Sequence, residues 1–153
     1  MLTARDIMTT EVITTTPATP VSQVAALLDQ HRISGVPVVD QEDRVVGVIT
    51  QSDLVARAQD LELPPTISLF DLRLVLETPS HFKKRLEKML GTTVGEVMSP
   101  EPQVVLPETP LNQIADLMAK KKVHTIPVLD GDKLIGVIGK IDLIHAQARE
   151  AGA

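Results

Sequence analysis

Apolar residues follow a helical spacing in one stretch near the start of the chain, directly after a stretch rich in β-branched residues. Residues 12–16, V-I-T-T-T, predict a strand. Thr19 is predicted to cap the following helix, with Pro20 at its first position, and the helix is predicted to end near Arg32. The residues that give this helix its single apolar face are Val21, Val24, Ala25 and Leu28.

Two short apolar runs come next and are separated by a polar turn. Residues 36–40 and 44–49 predict the two strands of a hairpin, and a helix is predicted over residues 51–60. Gly47 lies inside the second strand, where a glycine indicates a bulge or a close approach of other atoms to the backbone. The predicted order is strand, helix, strand, strand, helix.

The second half of the chain repeats this order at a spacing of about 90 residues, which is the signature of an internal structural repeat. Each repeat also opens with a capped helical turn, Thr3 with Asp6 and Thr93 with Glu96. Because one repeat is too short for a comfortable core, the two halves should pack face to face about a pseudo-twofold axis. We therefore predict an α/β (α+β) fold with domains at residues 1–60 and 93–153. The matching positions include Met8, Pro17, Pro20, Pro37, Asp40, Gly47 and Asp53, which reappear as Met98, Pro107, Pro110, Pro127, Asp130, Gly136 and Asp142.

Residues 61–92 have no counterpart in the repeat and form a predicted helical insert. Pro64 and Pro65 should break the preceding helix, residues 72–76 give a weak strand signal, and residues 78–91 predict an amphipathic, basic helix that ends at Gly91. A lid packed on the pair is the favoured interpretation, and a dimer contact is the second.

The composition limits the function classes. The formal charge of −5 and the absence of a basic stripe argue against a nucleic-acid partner, and the aromatic fraction of 1% leaves no stacking platform for bases. No apolar run approaches the roughly 18 residues of a membrane helix. The chain has no cysteine and no export signal at its start, so we expect a cytoplasmic protein with neither a disulfide nor a zinc cluster.

The end of the hairpin carries the candidate chemistry. Thr50 and Asp53 lie where the strand of residues 44–49 passes into a helix, and a helix start offers free N–H groups and a positive dipole to a phosphate. A carboxylate at this point can accept hydrogen bonds from ribose hydroxyls. The alternative is purely structural, because Thr50-x-x-Asp53 also matches a capping box.

The motifs together resemble a tandem pair of CBS domains, also called a Bateman module. The resemblance covers residues 3–58 and 93–146, and the insert and the tail lie outside it. It is carried by D-I-M-T at residues 6–9 and E-V-M-S at 96–99, by the two T-P helix starts, and by the two G-V-I segments that lead to Asp-Leu. The segments I-S-G-V-P-V-V-D and V-H-T-I-P-V-L-D complete the two sets.

The resemblance implies a regulatory ligand sensor rather than an enzyme, with clefts between the domains for AMP, ADP, ATP or S-adenosylmethionine. It assigns Thr50 and Asp53 to phosphate and ribose, and it assigns the first strand and the segment before P-V-V-D to the base. The residues carried over for the base are Thr14, Thr15, Thr16, Ser34, Gly35 and Val36.

The second half departs from the family pattern, because Gly139 stands where Thr50 stands while Asp142 is kept. Lys140 could supply a charge there, although a solvated lysine at a helix start is slightly favoured. His124, followed by Thr125 and Ile126, is either a phosphate contact or a half-buried histidine at a strand edge.

Three function classes remain to be compared. No nucleophile and base, P-loop or metal-ligand set supports an enzyme. A scaffold with vestigial sites is the alternative to the sensor, and the sensor would act on an unknown protein partner in trans. We further expect a homodimer through the helices that follow the G-V-I strands, although their apolar side chains are equally compatible with an intramolecular core. These side chains are Leu54, Val55, Ala58, Leu143, Ile144 and Ala148. Lys120, Lys121 and Lys122 are interpreted as a cationic helix end in preference to a phosphate clamp, and Met8, Met98 and Met118 as core fillers.

Overall fold

The computed structural model describes residues 1–60 and 92–152, so the predicted elements at 61–91 lie outside the described residues. The described part is a mixed α+β fold, as predicted. Its helices and strands in chain order are α1 (Ala4–Ile7), α2 (Val21–His31), β1 (Gly35–Val39), β2 (Val45–Thr50), α3 (Gln51–Asp60), α4 (Val94–Val97), β3 (Ser99–Pro100), α5 (Leu111–Lys121), β4 (Thr125–Asp130), β5 (Lys133–Gly139) and α6 (Lys140–Gly152).

The predicted first strand at residues 12–16 is reduced to one bridge. Thr15 pairs in parallel with Val38 of β1. The Thr15 N–H donates to the Pro37 carbonyl, and the Val39 N–H donates to the Thr15 carbonyl. Val105 makes the equivalent pair with Val128. One paired residue cannot propagate a ladder, so the β-branched run is extended without being a full strand.

The prediction that Thr19 caps α2 is also wrong by one residue. Pro20 is the N-cap, with φ −63° and ψ 141°, and the helix begins at Val21. Pro20 is held extended by a bridge to Thr93, and the Thr19 hydroxyl bonds to the hydroxyl of Thr16 at 2.8 Å instead. The helix ends at His31, and Arg32 adopts the left-handed conformation at its C-cap.

The two predicted hairpins are present, and their glycines lie against methionines. β1 pairs antiparallel with β2, and β4 with β5, each with a shift of register directly after the valine of its P-V segment, Val38 and Val128. A Cβ atom at Gly47 would lie 2.7 Å from Sδ of Met98 and 2.9 Å from the Ser99 carbonyl oxygen. A Cβ at Gly136 would overlap Met8 in the same way. The close approach predicted at Gly47 is confirmed.

The two hydrophobic cores do not coincide with the two sequence repeats. The core built on α5, β4, β5 and α6 also contains Ala4 and Ile7 of α1, whereas the core built on α2, β1, β2 and α3 contains Val94 of α4. Each fully buried aliphatic side chain contributes about 1.5–3 kcal/mol of transfer free energy. The opening turn of each repeat is therefore anchored in the other half of the molecule.

The contacts that anchor these turns occur in equivalent pairs. Thr3 forms a bridge with Pro110, and the equivalent Thr93 forms one with Pro20. Thr9 pairs with Val137 of β5, as β3 pairs with β2 in the other half. Both capping boxes predicted for α1 and α4 are formed. This reciprocity is the pseudo-twofold relation expected from the repeat.

Candidate functional site

Thr50 and Asp53 are joined by three hydrogen bonds at the point where β2 passes into α3. The Thr50 N–H donates to Oδ2 of Asp53 at 2.9 Å, and its hydroxyl lies 3.1 Å from the same atom. The Asp53 N–H lies 3.2 Å from the Thr50 hydroxyl oxygen. These bonds form the capping box that was one of the two sequence interpretations, and they leave Oδ1 of Asp53 outside the box.

The other half of the chain supplies a partner for Oδ1. The hydroxyl of Ser99, in β3, donates to Oδ1 of Asp53 at 2.9 Å. Ser99 is brought there because β3 pairs with β2. A carboxylate has about four acceptor positions, so Asp53 retains capacity for a further donor.

A cleft of about 220 Å³ opens beside this carboxylate, and we call it the first cleft. His124 and Thr125 reach it from the start of β4, and Lys122 from the end of α5. Both halves of the molecule therefore contribute to it. The full lining is Ser34, Val48, Thr50, Gln51, Ser52, Asp53, Ser99, Gln103, Lys122, Val123, His124 and Thr125.

A second cleft, of about 510 Å³, lies beside the equivalent junction of β5 and α6. Here the N–H of Gly139 donates to Oδ2 of Asp142 at 2.8 Å, but no hydroxyl completes a capping box because Gly139 has no side chain. The full lining is Thr9, Glu11, Ile13, Arg32, Ile33, Ser34, Gly35, Pro37, Thr125, Val137, Gly139, Lys140, Ile141, Asp142 and Ile144.

The residues singled out from the sequence are divided between the two clefts and the cores. Ser34 and Thr125 line both clefts, Thr50, Asp53 and His124 line the first, and Gly35, Lys140 and Asp142 line the second. Val36 and Ile126 are fully buried in the two cores.

Thr14, Thr15 and Thr16 line neither cleft. Thr15 is buried against β1, and Thr16 bonds to Thr19. The segments that do line the clefts lie earlier in each repeat, at Thr9, Glu11 and Ile13, and at the equivalent Ser99 and Gln103.

Sequence reasoning missed Arg32 as a cleft residue and ranked a phosphate clamp at Lys120 to Lys122 below a cationic helix end. Lys122 lines the first cleft and Arg32 the second, and both are C-cap residues in the left-handed conformation, with φ 54° and 52°. The helix-end interpretation of Lys122 is correct for its backbone position, and its place in the first cleft matches the less favoured alternative. The available signal was the repeat itself, because Arg32 and Lys122 occupy equivalent positions and are both basic. No group of three or more His, Asp or Glu side chains in residues 1–60 and 92–152 is placed to hold a metal ion.

The CBS domain family matches the chain twice, at residues 4–60 and 94–149. These two matches cover most of the chain. The chain belongs to the CBS domain family. The two matches place one CBS domain in each repeat, in agreement with the pseudo-twofold contacts described above.

Similar proteins include other CBS-domain chains. CBSX1, a chloroplastic CBS domain-containing protein of Arabidopsis thaliana, is 32% identical over 139 residues, which cover 85% of this chain and 56% of CBSX1. The chain thus spans about half the length of that relative. The uncharacterised protein MJ1426 of Methanocaldococcus jannaschii is 34% identical over 131 residues, covering 80% of this chain and 78% of MJ1426.

A crystal structure of the Arabidopsis thaliana protein CBSX2 in complex with AMP has the same fold. It superimposes with a TM-score of 0.73 and 28% identity, and the match covers 99% of each chain. Within the described part of this CBS pair, no helix is both long and apolar enough to cross a bilayer. The cytoplasmic location stays a prediction.

Proposed function

We propose that this CBS pair is a regulatory module that binds adenosine nucleotides, AMP, ADP or ATP, in the clefts between its two domains, and that it is a sensor rather than an enzyme. The observation that carries the proposal is the first cleft, where a helix N-terminus and the Asp53 carboxylate from one half face Lys122 and His124 from the other. A similar pair, CBSX2, has been solved with AMP.

Each group in the first cleft suits one part of a nucleotide. Asp53 is the acceptor for ribose hydroxyls. The first turn of α3 begins at Gln51, and the positive end of its helix dipole favours a phosphate, although the N–H groups of Gln51 and Asp53 already donate to the Ser34 carbonyl and the Thr50 hydroxyl. Lys122 and the protonated form of His124 would add positive charge from the opposite wall. Aliphatic side chains such as Val48 and Val123 would contact the base.

The sizes of the two clefts imply different responses to a ligand. Sites for small molecules occupy about 300–1,000 Å³. The second cleft, at about 510 Å³, lies within this range and the first, at about 220 Å³, lies below it, so in the proposed function a nucleotide widens the first cleft. Because its two walls belong to different halves, opening the first cleft moves those halves relative to each other. A partner protein in trans would respond to that change, which can be no larger than the ligand's differential affinity for the two arrangements.

Among the described residues, the apolar side chains predicted either for a homodimer contact or for the intramolecular core divide into buried and exposed ones. Leu54 and Leu143 are buried in the two cores, so they are not available to a second copy. Val55 and Ile144 are 51% and 46% exposed, and we propose that these side chains of α3 and α6 form the contact between protomers. The molecular mass of the chain in solution tests whether it forms a homodimer, and a strictly monomeric mass at micromolar concentration would refute the homodimer.

A calorimetric titration of the purified chain with AMP, ADP, ATP and S-adenosylmethionine tests the proposed function. We expect saturable binding of at least one adenine nucleotide and a matching rise in melting temperature, because such a ligand binds only the folded chain. GMP is the control for selectivity toward the base. The absence of binding across the panel would contradict the sensor and favour the scaffold with vestigial sites.

A further inference from the structure

Two hydroxyl groups lie on the boundary between the clefts. Ser34 and Thr125 each line both clefts, and their oxygens Oγ and Oγ1 are 2.9 Å apart. Thr125 is buried and Ser34 is half-buried. Under the repeat, Ser34 corresponds to His124 and Thr125 to Gly35, so the equivalent contact across the axis has no pair of hydroxyls. The Ser34–Thr125 pair is a single feature shared by the two clefts.

The Ser34–Thr125 pair has only one hydroxyl proton that is not used within the pair and that can be donated to a ligand. Each hydroxyl carries one proton, and in a mutual hydrogen bond one of the two protons is used between the partners. Either oxygen can be the donor in this pair. Whichever direction the mutual bond takes, one proton remains for an acceptor in one of the two clefts.

The surrounding contacts hold the pair in place. The Ser34 carbonyl accepts the N–H of Gln51 at 2.9 Å, and the His124 carbonyl accepts the N–H of Lys140 at 3.0 Å. The backbone carbonyls of Ser34 and of His124, the neighbour of Thr125, therefore accept the first N–H of α3 and of α6. Gly35 leaves room for the pair, because a Cβ there would lie 2.9 Å from Oγ1 of Thr125.

We infer that the two clefts are coupled negatively through the Ser34–Thr125 pair, an inference that rests on the proposed nucleotide binding. A ligand that accepts the free proton in one cleft leaves the ligand in the other cleft without that donor. A hydrogen bond between neutral groups contributes about 1 kcal/mol, which is roughly a fivefold change in affinity. The second nucleotide should therefore bind about fivefold more weakly than it binds to the same cleft when the other is empty. By linkage, the factor is the same whichever cleft fills first.

The test compares the native chain with two variants that each retain one working cleft, with AMP as the probe in calorimetry. Asp142→Ala retains the first cleft, and Asp53→Ala retains the second. We expect the second AMP to bind the native chain about fivefold more weakly than AMP binds the corresponding single-cleft variant. The double variant Ser34→Ala/Thr125→Val, placed in all three backgrounds, removes both hydroxyls and with them the shared proton, and we expect it to reduce the coupling factor to about one.

Thr15→Val is the matched control. Thr15 is as buried as Thr125 but lies away from both clefts, and its equivalent in the second half is already Val105. The control should leave the fivefold factor unchanged. Each single variant, Ser34→Ala or Thr125→Val, leaves one hydroxyl with one proton on both clefts and should therefore retain the factor.

Four results would overturn the inference. Native binding of two AMP molecules with the single-cleft affinities would exclude coupling, and a factor that persists in the double variant Ser34→Ala/Thr125→Val would assign it to other residues. If the native chain binds one AMP and one of the two single-cleft variants binds none, coupling is refuted and the proposed function stands. A native chain that binds no AMP, ADP, ATP or S-adenosylmethionine would refute the proposed function and this inference with it.

Discussion

Asp53→Ala separates the two roles that one carboxylate has at the start of α3. The side chain accepts hydrogen bonds from the Thr50 N–H, the Thr50 hydroxyl and the Ser99 hydroxyl, and in the proposed function it also accepts ribose hydroxyls. The substitution should therefore lower both the stability of the fold and the affinity for nucleotide. The two effects have different sizes and can be measured independently.

The stability cost can be calibrated within the same chain. Asp6 closes the capping box of α1, with the Thr3 N–H 2.8 Å and the Thr3 hydroxyl 3.0 Å from its Oδ2. It lines neither cleft, so Asp6→Ala loses a capping box without touching the proposed site. Losing a capping interaction costs about 1 kcal/mol, which is a shift of about 2–4 °C in melting temperature for a chain of this size. Asp53→Ala should cost somewhat more because the Ser99 contact is lost as well.

The affinity cost should be larger and confined to one variant. Hydrogen bonds to a charged group contribute about 1.5–3 kcal/mol, so losing the ribose contacts should weaken AMP binding at the first cleft by roughly 10- to 100-fold. Calorimetry gives this affinity, and urea denaturation gives the stability of each variant. AMP affinity should be native in Asp6→Ala. Equal affinities in Asp53→Ala and Asp6→Ala would refute the ribose role and leave Asp53 as a capping residue only.

Three other predictions test separate parts of the structure. Gly136→Ala should lower the free energy of unfolding by about 1–3 kcal/mol, because the added Cβ overlaps Met8 and loosens the N-terminal turn from the core built on α5, β4, β5 and α6. An unchanged urea midpoint would contradict that packing. The pKa of Asp40 is lowered chiefly by the hydrogen bond from the Arg44 backbone N–H. The ionised carboxylate therefore stabilises the fold above about pH 4, and this stabilisation is lost as the pH falls through the lowered pKa. Asp40→Asn should flatten the loss of melting temperature in that acidic range, and a variant with the native pH profile would exclude this contribution. Lys122→Gln should weaken ATP binding more than adenosine binding, since the lysine would act on the phosphates; equal losses for the two ligands, measured by calorimetry, would remove it from that role.

The sequence was sufficient for the repeat, the hairpins, the two capped turns and the helices of the described part apart from the cap of α2, because each depends on local periodicity and capping residues. The exchange of the α1 and α4 turns between the cores could not be derived from it. Ala4, Ile7 and Val94 are apolar in either arrangement, and only tertiary packing decides which core they enter.

The site shows the same division between local and long-range information. The Thr50–Asp53 junction is local in sequence and could be predicted, including its alternative as a capping box. The contribution of Ser99 could not, since it depends on the pairing of β3 with a strand from the other repeat. Thr14 to Thr16 were assigned to the base through the family pattern, yet they lie outside both clefts because the bridge at Thr15 fixes that segment against β1.

The central claim is that an adenosine nucleotide binds between the two halves at the first cleft. Amide hydrogen exchange of the chain, free and saturated with the tightest-binding nucleotide of the panel, tests it most directly because it reports protection residue by residue. The account predicts slowed exchange at Thr50, Gln51 and Asp53 in one half together with Val123 and His124 in the other. In Asp53→Ala, which retains only the second cleft, this protection should be lost at the same nucleotide concentration. Slowed exchange confined to one half, or located away from both clefts while the nucleotide is bound, would contradict the account.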